Sequence, residues 1–184
     1  MKETEQQLLA QVSKGDRKAY RRLYERFAPY CMSTAMRYLG EADEVHDAVQ
    51  EGFVKVFSSL GTFRHHGEGS LKAWICAIVA HEACNILKQH QKHLFSDITV
   101  EPIDEDTEEQ PEVEHVPPDV LTQLIRQLPP GYRMVLNLYV FEELSHQEIG
   151  RRLDITPQSS ASQFSRAKKL LAQLIKDYIK TGKI

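Results

Sequence analysis

Residues 144–171, LSHQEIGRRLDITPQSSASQFSRAKKLL, hold the signals that decide the fold of the C-terminal part of the chain. Ser145 and Glu148 have the spacing of a capping box, which predicts the start of one helix. Thr156 as N-cap, followed by a proline at the first helical position, predicts the start of a second helix. Only two residues separate these helices, and the first of them, Asp154, tolerates the left-handed backbone of a tight turn. The stretch therefore predicts a helix-turn-helix.

The second of these helices carries a polar run, QSSASQFS, beside an apolar stripe. Helical spacing places on the buried stripe Ser160, Phe164, Ala167, Leu171, Leu174 and Tyr178. It places on the outward face Gln158, Ser159, Ser162, Ser165, Arg166 and Lys169. Short Ser and Gln side chains let a helix approach base edges in the major groove, and basic residues meet phosphates. We predict that this face reads DNA; the alternative is a merely solvated helix face.

The net charge of −3 is unevenly distributed over the 184 residues. Residues 1–94 carry 13 Lys and Arg against 11 Asp and Glu, residues 95–119 carry none against 10, and residues 120–184 carry 10 against 5. The middle piece has several prolines and little apolar periodicity, so it cannot bury enough surface to offset chain entropy. We predict an acidic flexible linker over 95–118, which either is a solvated tether or repels DNA and covers a basic face.

The flanking pieces are predicted to be helical. Asp16 is the expected N-cap of a first helix, which Pro29 should kink or break. A second helix, EADEVHDAVQEGFVKVFSSL, is followed by the loop GTFRHHGEG and by a long helix from about Ser70. The second helix turns outward Asp43, Glu44, Asp47, Gln50 and Glu51. Four shorter helices are expected in the last piece, the first with Asp119 as its N-cap. The fold class is therefore all-α, with two small helical domains, 1–94 and 119–184, joined by the acidic linker.

Composition argues against a membrane protein and a disulfide scaffold. No stretch approaches the roughly 20 apolar residues that span a bilayer, and the start, MKETEQQLLAQ, lacks the regions of a signal peptide. We expect a cytoplasmic protein without membrane insertion. The three cysteines, Cys31, Cys76 and Cys84, include no CxxC pair, so we expect buried free thiols.

A metallo-enzyme is the first alternative class that the sequence raises. The segment HEACN at 81–85 nearly matches the H-E-x-x-H motif of zinc hydrolases, but Asn85 stands where the second His is needed. We therefore expect no metal, no other cofactor, no catalytic residue and no enzymatic activity.

Across nearly its whole length the chain resembles bacterial RNA polymerase sigma factors of the extracytoplasmic-function (ECF) kind, which keep only the second and fourth conserved regions of larger sigma factors. DAVQEGF at 47–53 resembles the D-x-x-Q-E-x-F signature of region two, and residues 61–88 resemble its F-R-x-x-x-S-x-x-x-W-x-x-x-I-x-x-N segment. LSHQEIGRRLDIT and SRAKKLL resemble the L-S-x-x-E-I-A and S-R-A-R-K-x-L pieces of region four.

The resemblance implies a role for each domain. The first would bind core RNA polymerase and would recognise and melt the minus-ten promoter element, and the second would read the minus-thirty-five element. Docking on the polymerase would fall to Asp47, Gln50 and Glu51, with a solvated acidic face as the alternative. The minus-thirty-five contacts would fall to the outward face of the last helix, where Ala161 stands in place of a frequent Lys or Arg.

The loop Gly61–Gly69 would capture an unstacked base of the minus-ten element. The candidates in and after the loop are Phe63, Arg64, His65, His66 and Trp74. Phe63 and Trp74 could equally be packed in the core. The lysines that would follow the phosphate backbone are Lys72, Lys88 and Lys92.

The expected partners are core RNA polymerase and promoter DNA, and the resemblance also allows an anti-sigma protein. The free protein is expected to be a monomer. The second alternative is a stand-alone helix-turn-helix regulator of transcription, which would bind a palindromic operator as a dimer. That alternative leaves residues 41–92 without a purpose.

Overall fold

A computed structural model describes residues 3–90, Val113 and residues 116–184. These residues form eight α-helices and no β-strand. Contacts among the helices divide the chain into two compact units, Met1–Ile86 and Leu87–Ile184. The predicted all-α class with two helical domains is confirmed. Most of the predicted linker, residues 95–112 and 114–115, lies outside the described residues.

The first part of the chain holds four helices: α1 (Glu5–Val12), α2 (Arg17–Met36), α3 (Ala42–Ser59) and α4 (Ser70–His90). A 3₁₀ turn, Leu60–Thr62, follows α3. Apolar residues at helical spacing on each element form one core, which includes Leu8, Leu23, Phe27, Val49, Phe53, Ile75 and Val79. Most helical stability in proteins comes from tertiary packing of this kind, and α1, with eight residues, would be marginal alone in water.

Two local features of this unit differ from the sequence prediction. Helix α1 was not predicted, although Thr4 and Gln7 form a complete capping box at its start. Pro29 was predicted to kink or break the helix, and the break does not occur, because α2 runs unbroken from Arg17 to Met36. Pro29 removes one backbone donor, but Phe27 and Cys31 on either side of it are buried in the core. Tertiary packing thus outweighs the local preference of proline.

Helices α3 and α4 approach closely at Gly52. A Cβ atom built on Gly52 would lie 2.5 Å from Cγ2 and 3.2 Å from Cα of Val79. Both residues are buried. Only glycine therefore fits at this crossing without a shift of one helix.

Helix α4 corrects the expectation that no stretch is apolar enough to cross a bilayer. By length and composition alone, Ser70–Gln89 would qualify. Its apolar residues Leu71, Ile75 and Val79 lie in the core of the first unit. Its Glu82 carboxylate pairs with the Lys55 ammonium at 2.8 Å. These are the contacts of a core helix in a globular unit, and they explain the apolar composition.

The second part of the chain holds α5 (Pro118–Gln127), α6 (Pro130–Val140), α7 (His146–Leu153) and α8 (Pro157–Thr181). Two apolar clusters join α5, α6 and α8. One contains Val120, Leu124 and Ile175, and the other contains Ile125, Leu128, Leu136 and Ala167. The predicted N-cap Asp119 is wrong: Pro117 occupies the N-cap position of α5, without a side-chain hydrogen bond, and Asp119 lies in the first turn of the helix. The four predicted helices are present, although α8, with 25 residues, is longer than the helices of the first part of the chain.

The cysteines are free thiols, as predicted. Cys31 and Cys84 are buried, and Cys76 is half-buried. A hydrogen bond with Cys76, together with burial, raises the pKa of the Cys31 thiol far above its ordinary value. Cys31 is therefore an inert core residue at physiological pH.

Candidate interfaces for protein and nucleic acid

The outward face of α3 is acidic and exposed. Its other face is buried through Val45, Ala48, Val49, Phe53 and Val56. This alternation leaves Asp47, Gln50 and Glu51 exposed to solvent, and Asp43 with them. Within the described part of the chain no hydrogen bond or ion pair engages the three predicted polymerase contacts. The predicted Glu44 is only half-exposed.

The loop between α3 and α4 separates its candidate residues into two groups. Phe63 and Trp74 are half-buried and pack together, with ring centroids 4.9 Å apart and ring planes tilted by 39°. Arg64 and His66 are exposed. The side chain of His65 is only 22% exposed, and its Nε2 lies 3.7 Å from the Glu5 carboxylate. Of the three polar candidates, two therefore face solvent and one faces the interior of the unit.

Glu5 of α1 holds the point where this loop enters α4. Its side chain is 2% exposed. One carboxylate oxygen, Oε2, accepts from the backbone N–H groups of Gly69 and Leu71, both at 3.0 Å. The other, Oε1, accepts from that of Lys72 at 3.3 Å. Sequence reasoning missed this residue, although the TEQQ capping box of α1 and the absence of a capping side chain at Gly69 were available signals.

Glu5, His65 and Glu68 are the one group of metal-ligating side chains in the described ranges, with ligand atoms within 4.8 Å of one another. Both carboxylates are already engaged. Glu5 accepts from three backbone N–H groups, while Glu68 accepts from the Glu5 backbone N–H at 3.1 Å and from Arg26 at 2.8 Å. The chemistry of the group is thus that of a hydrogen-bonded cap. In the HEACN segment, His81 lies 3.4 Å from the Glu82 carboxylate.

The lysines predicted to follow the phosphate backbone differ in their surroundings. Lys72 is exposed on the first turn of α4, and its ammonium lies 5.1 Å from the ring centroid of Tyr30, which is itself 52% exposed. Lys88 is half-buried near the end of α4. Lys92 lies outside the described residues.

The helix-turn-helix forms as the sequence predicts. Ser145 and Glu148 make both hydrogen bonds of the capping box at the start of α7. Asp154 ends α7 in the left-handed region, at φ 60° and ψ 46°. Thr156 caps α8 by accepting from the Ser159 backbone N–H at 3.0 Å. Each of these features is local, which is why sequence spacing alone located them.

The polar face of α8 is less exposed than predicted. Gln158 and Lys169 are exposed, and the other four outward candidates are half-buried: Ser159, Ser162, Ser165 and Arg166. On the predicted buried stripe, Ser160 and Ala167 are fully buried, whereas Phe164, Leu171, Leu174 and Tyr178 are half-buried. Sequence reasoning missed Gln163, which is fully buried and donates its amide to Ser159 Oγ at 3.3 Å.

His146, at the first position of α7, is bound to the start of α8. Its Nδ1 lies 2.9 Å from Ser160 Oγ, and Ser160 is fully buried. The imidazole stacks on Tyr139 with ring centroids 4.6 Å apart, and Tyr139 packs on Phe164 at 4.3 Å. Burial lowers the pKa of His146. This cluster fixes α8 against α7, and it could not be predicted because its members are distant in sequence.

Two sigma-factor family models match the chain. Sigma-70 region 2 matches residues 23–93, and Sigma-70 region 4 matches residues 119–171. The first match contains α3, the loop and α4, and the second contains the helix-turn-helix.

Curated proteins match the chain over nearly their full length. The RNA polymerase sigma-H factor of Pseudomonas aeruginosa is 26% identical, with 97% of each chain covered. The ECF RNA polymerase sigma-E factor of Escherichia coli K12 is 29% identical, with 96% of this chain and 97% of that protein covered.

A solved structure of a sigma factor in complex with an anti-sigma factor, from Bartonella quintana, aligns with a TM-score of 0.49 and 16% identity, over 86% of this chain and 98% of that one. The two matches together span most of the chain, with region 2 before the acidic segment and region 4 after it, and the curated relatives align over nearly the whole chain. The chain therefore belongs to the sigma-70 family, as an RNA polymerase sigma factor of the ECF type.

Proposed function

We propose that this sigma factor divides promoter recognition between its two units. The first docks on core RNA polymerase and captures a base of the minus-ten element, and the second reads the minus-thirty-five element. One observation carries the proposal: an exposed acidic helix leads into a loop with exposed Arg64 and His66 in one unit, and the other unit is a helix-turn-helix. The protein acts in the cytoplasm and catalyses no reaction of its own.

The polymerase-binding surface is the acidic face of α3. Asp47, Gln50 and Glu51 are exposed and unengaged within the described residues, so binding a partner does not require breaking an internal contact. Carboxylates on a surface attract a basic partner and fix its orientation. This supports a basic docking site on the polymerase.

The minus-ten surface is the loop before α4. Arg64 and His66 supply exposed groups that can stack on a base or bond to its edge. Phe63 and Trp74 pack on each other and support the loop from the interior side. Lys72 lies in the first turn of α4 and is placed to meet a phosphate.

The minus-thirty-five surface is the N-terminal half of α8. Gln158 and Ser162 lie on its polar face at the end that enters a major groove in helix-turn-helix proteins. Arg166 is half-buried and Lys169 is exposed, both farther along the helix. We assign base contacts to Gln158 and Ser162, and phosphate contacts to Arg166 and Lys169.

The stand-alone regulator is not favoured. Residues 23–93 match sigma region 2, which a helix-turn-helix regulator does not need. An anti-sigma protein stays a prediction as a further partner of the free chain.

Reconstitution with core polymerase tests the proposal. We expect runoff transcription from genomic DNA fragments only when the chain and the core enzyme are both present. Glu51→Lys should abolish association with the core while leaving helicity unchanged, because exposed substitutions cost less than about 0.5 kcal/mol.

The matched control is Glu25→Lys, which makes the same charge change on the exposed surface of α2, where Arg21 is the one ion-pair partner of Glu25 among the described residues. It should co-purify with the polymerase like the wild type. Equal association of both variants with the core would refute the assignment of α3.

A further inference from the structure

We propose that Glu5 is the positioning residue of the minus-ten loop: a buried carboxylate on α1 that caps α4 and holds the loop in the geometry that captures a base. The inference rests on the proposed function of that loop. Glu5 lies outside both segments that match the sigma-70 family models, residues 23–93 and 119–171.

The start of α4 lacks a capping side chain of its own. The residue before the helix is Gly69, and the first N–H groups of a helix need acceptors. Glu5 supplies them from a position 64 residues earlier, through the backbone N–H groups of Gly69, Leu71 and Lys72. A carboxylate at a helix N-terminus is also favoured by the helix dipole. These three bonds explain how a glutamate with a side chain only 2% exposed is accommodated in the core.

Two further residues of the loop, Glu68 and His65, lie against α1 and α2. Glu68 accepts from the Glu5 backbone N–H at 3.1 Å and from the Arg26 guanidinium at 2.8 Å. Arg26 also donates to the carbonyl oxygen of Glu3 at 2.7 Å. His65 Nε2 lies 3.7 Å from the Glu5 carboxylate. The loop is therefore hydrogen-bonded to α1 and α2 through Glu68 and Gly69, and His65 lies beside the same carboxylate.

The loop needs such an anchor because its own backbone is permissive. Gly67 and Gly69 have positive φ values of 114° and 93°, which glycine adopts readily. A loop with two such glycines gains much conformational freedom when its contacts are lost. A loop that must be ordered when it binds loses affinity relative to one that is already ordered. Arg64 and His66, the exposed members of the loop, directly precede and follow His65. Loss of the Glu5 carboxylate should thus weaken base capture without touching a base-contacting residue.

The test measures capture of the minus-ten bases by the holoenzyme. The probe is a promoter fragment recovered by runoff transcription, with its minus-ten non-template strand left single-stranded. Each minus-ten base is replaced in turn by an abasic site, and the loss of affinity is measured for wild type, Glu5→Ala and Glu5→Gln. The glutamine has one oxygen in place of two, so it must turn an NH₂ group toward backbone donors.

We expect one minus-ten position at which the abasic site strongly weakens wild-type binding. In Glu5→Ala that penalty should fall by about tenfold, which is the size of a lost base contact. Glu5→Gln should lower the penalty in the same direction. Binding to core polymerase should stay within about twofold of wild type, since the docking face on α3 is unchanged. If the alanine variant does not fold, the glutamine variant decides.

Glu3→Ala is the matched control. It removes a second carboxylate from the same N-terminal segment. This carboxylate pairs with Arg22 at 3.4 Å, accepts from the Gln11 amide at 2.9 Å, and makes no hydrogen bond or ion pair with the described residues of α4. The variant keeps the backbone carbonyl that Arg26 uses, so the wild-type abasic penalty should remain.

A wild-type penalty in both Glu5 variants, with core binding intact, would overturn the inference. A double variant, Arg64→Ala with His66→Ala, separates this result from failure of the proposed function. If that variant loses the penalty while the Glu5 variants keep it, the loop captures the base and only the role of Glu5 is wrong. If the double variant also keeps it, the assignment of the loop itself is wrong.

Discussion

Single side chains on the polar face of α8 should make two kinds of DNA contact. Ser162 is half-buried near the start of the helix, where short side chains reach base edges, whereas Lys169 is exposed farther along. Ser162→Ala should change which promoters are preferred, by about 1–3 kcal/mol for the affected base. Lys169→Ala should weaken all promoters alike and reduce the salt dependence by about one phosphate.

Runoff transcription from a library randomised in the upstream element measures both effects. If the two variants gave the same promoter ranking at every salt concentration, α8 would only position the protein. The serines would then not be base contacts.

His146 should make the second unit sensitive to acid. Burial lowers its pKa from the ordinary value of 6.5, so the unfolded chain takes up a proton more readily than the folded chain. The free energy of unfolding should therefore decrease as the pH falls from about 7.5 to about 5.5. The hydrogen bond with Ser145 lowers the pKa of Glu148 from 4.5, so that carboxylate acts in a more acidic range.

Urea unfolding followed by circular dichroism at the two pH values measures this effect. Trp74 is the single tryptophan of the chain, and its fluorescence reports the first unit separately. His146→Gln keeps a partner for Ser160 but cannot take up a proton, so its stability should depend less on pH. An unchanged pH dependence would mean that other groups cause it.

Sequence spacing locates a functional residue when its signal is local. The N-caps Asp16, Ser145 and Thr156 are read correctly because cap and capped N–H lie within three residues. Glu5 and His146 are missed because their partners lie 64 and 14 residues away. Residues whose role depends on tertiary contact leave only an indirect trace in one sequence.

At the scale of elements, the crossing of α3 and α4 should tolerate only glycine. Gly52→Ala places a Cβ atom 2.5 Å from Val79 Cγ2, and Val79 is fully buried. Overpacking costs about 1–3 kcal/mol, which exceeds the gain of about 1 kcal/mol in helix propensity. We expect a lower midpoint of unfolding for the first unit, followed by Trp74 fluorescence.

Gly61→Ala is the control for this substitution. A Cβ at Gly61 would meet no heavy atom within 4 Å. Its midpoint should match the wild type. A Gly52→Ala midpoint equal to that of Gly61→Ala would show that the helices separate without cost.

The existence of most helices follows from apolar periodicity, but their continuity does not. Proline lowers helix propensity in any sequence-based reading, yet α2 continues through Pro29 because Phe27 and Cys31 are buried on its core face. Helix α1 is short and polar on most sides, so periodicity gives it a weak signal. Its order depends on contacts of Glu3 and Glu5 with other elements.

At the scale of the whole molecule, the free chain should bind duplex DNA weakly. Its net charge is −3, and residues 95–119 alone contribute −10. Affinity for DNA depends on the number of phosphates neutralised, so we expect a Kd above about 1 μM at physiological salt without polymerase. Fluorescence anisotropy with a promoter duplex, in the presence and absence of core enzyme, measures this. Tight, sequence-specific binding by the chain alone would contradict it.

The close crossing at Gly52 links the two proposed surfaces of the first unit. The proposed docking face is on α3 and the proposed base-capturing loop leads into α4, so the contact of Gly52 with Val79 sets the offset between them. Because α3 contributes only a glycine at this crossing, its backbone packs directly against Val79, and this packing fixes the offset. The position of the melted base relative to the polymerase would then be dictated by helix packing inside one unit. A larger spacing between α3 and α4 would displace the start site along the template as well as lower the stability of the first unit.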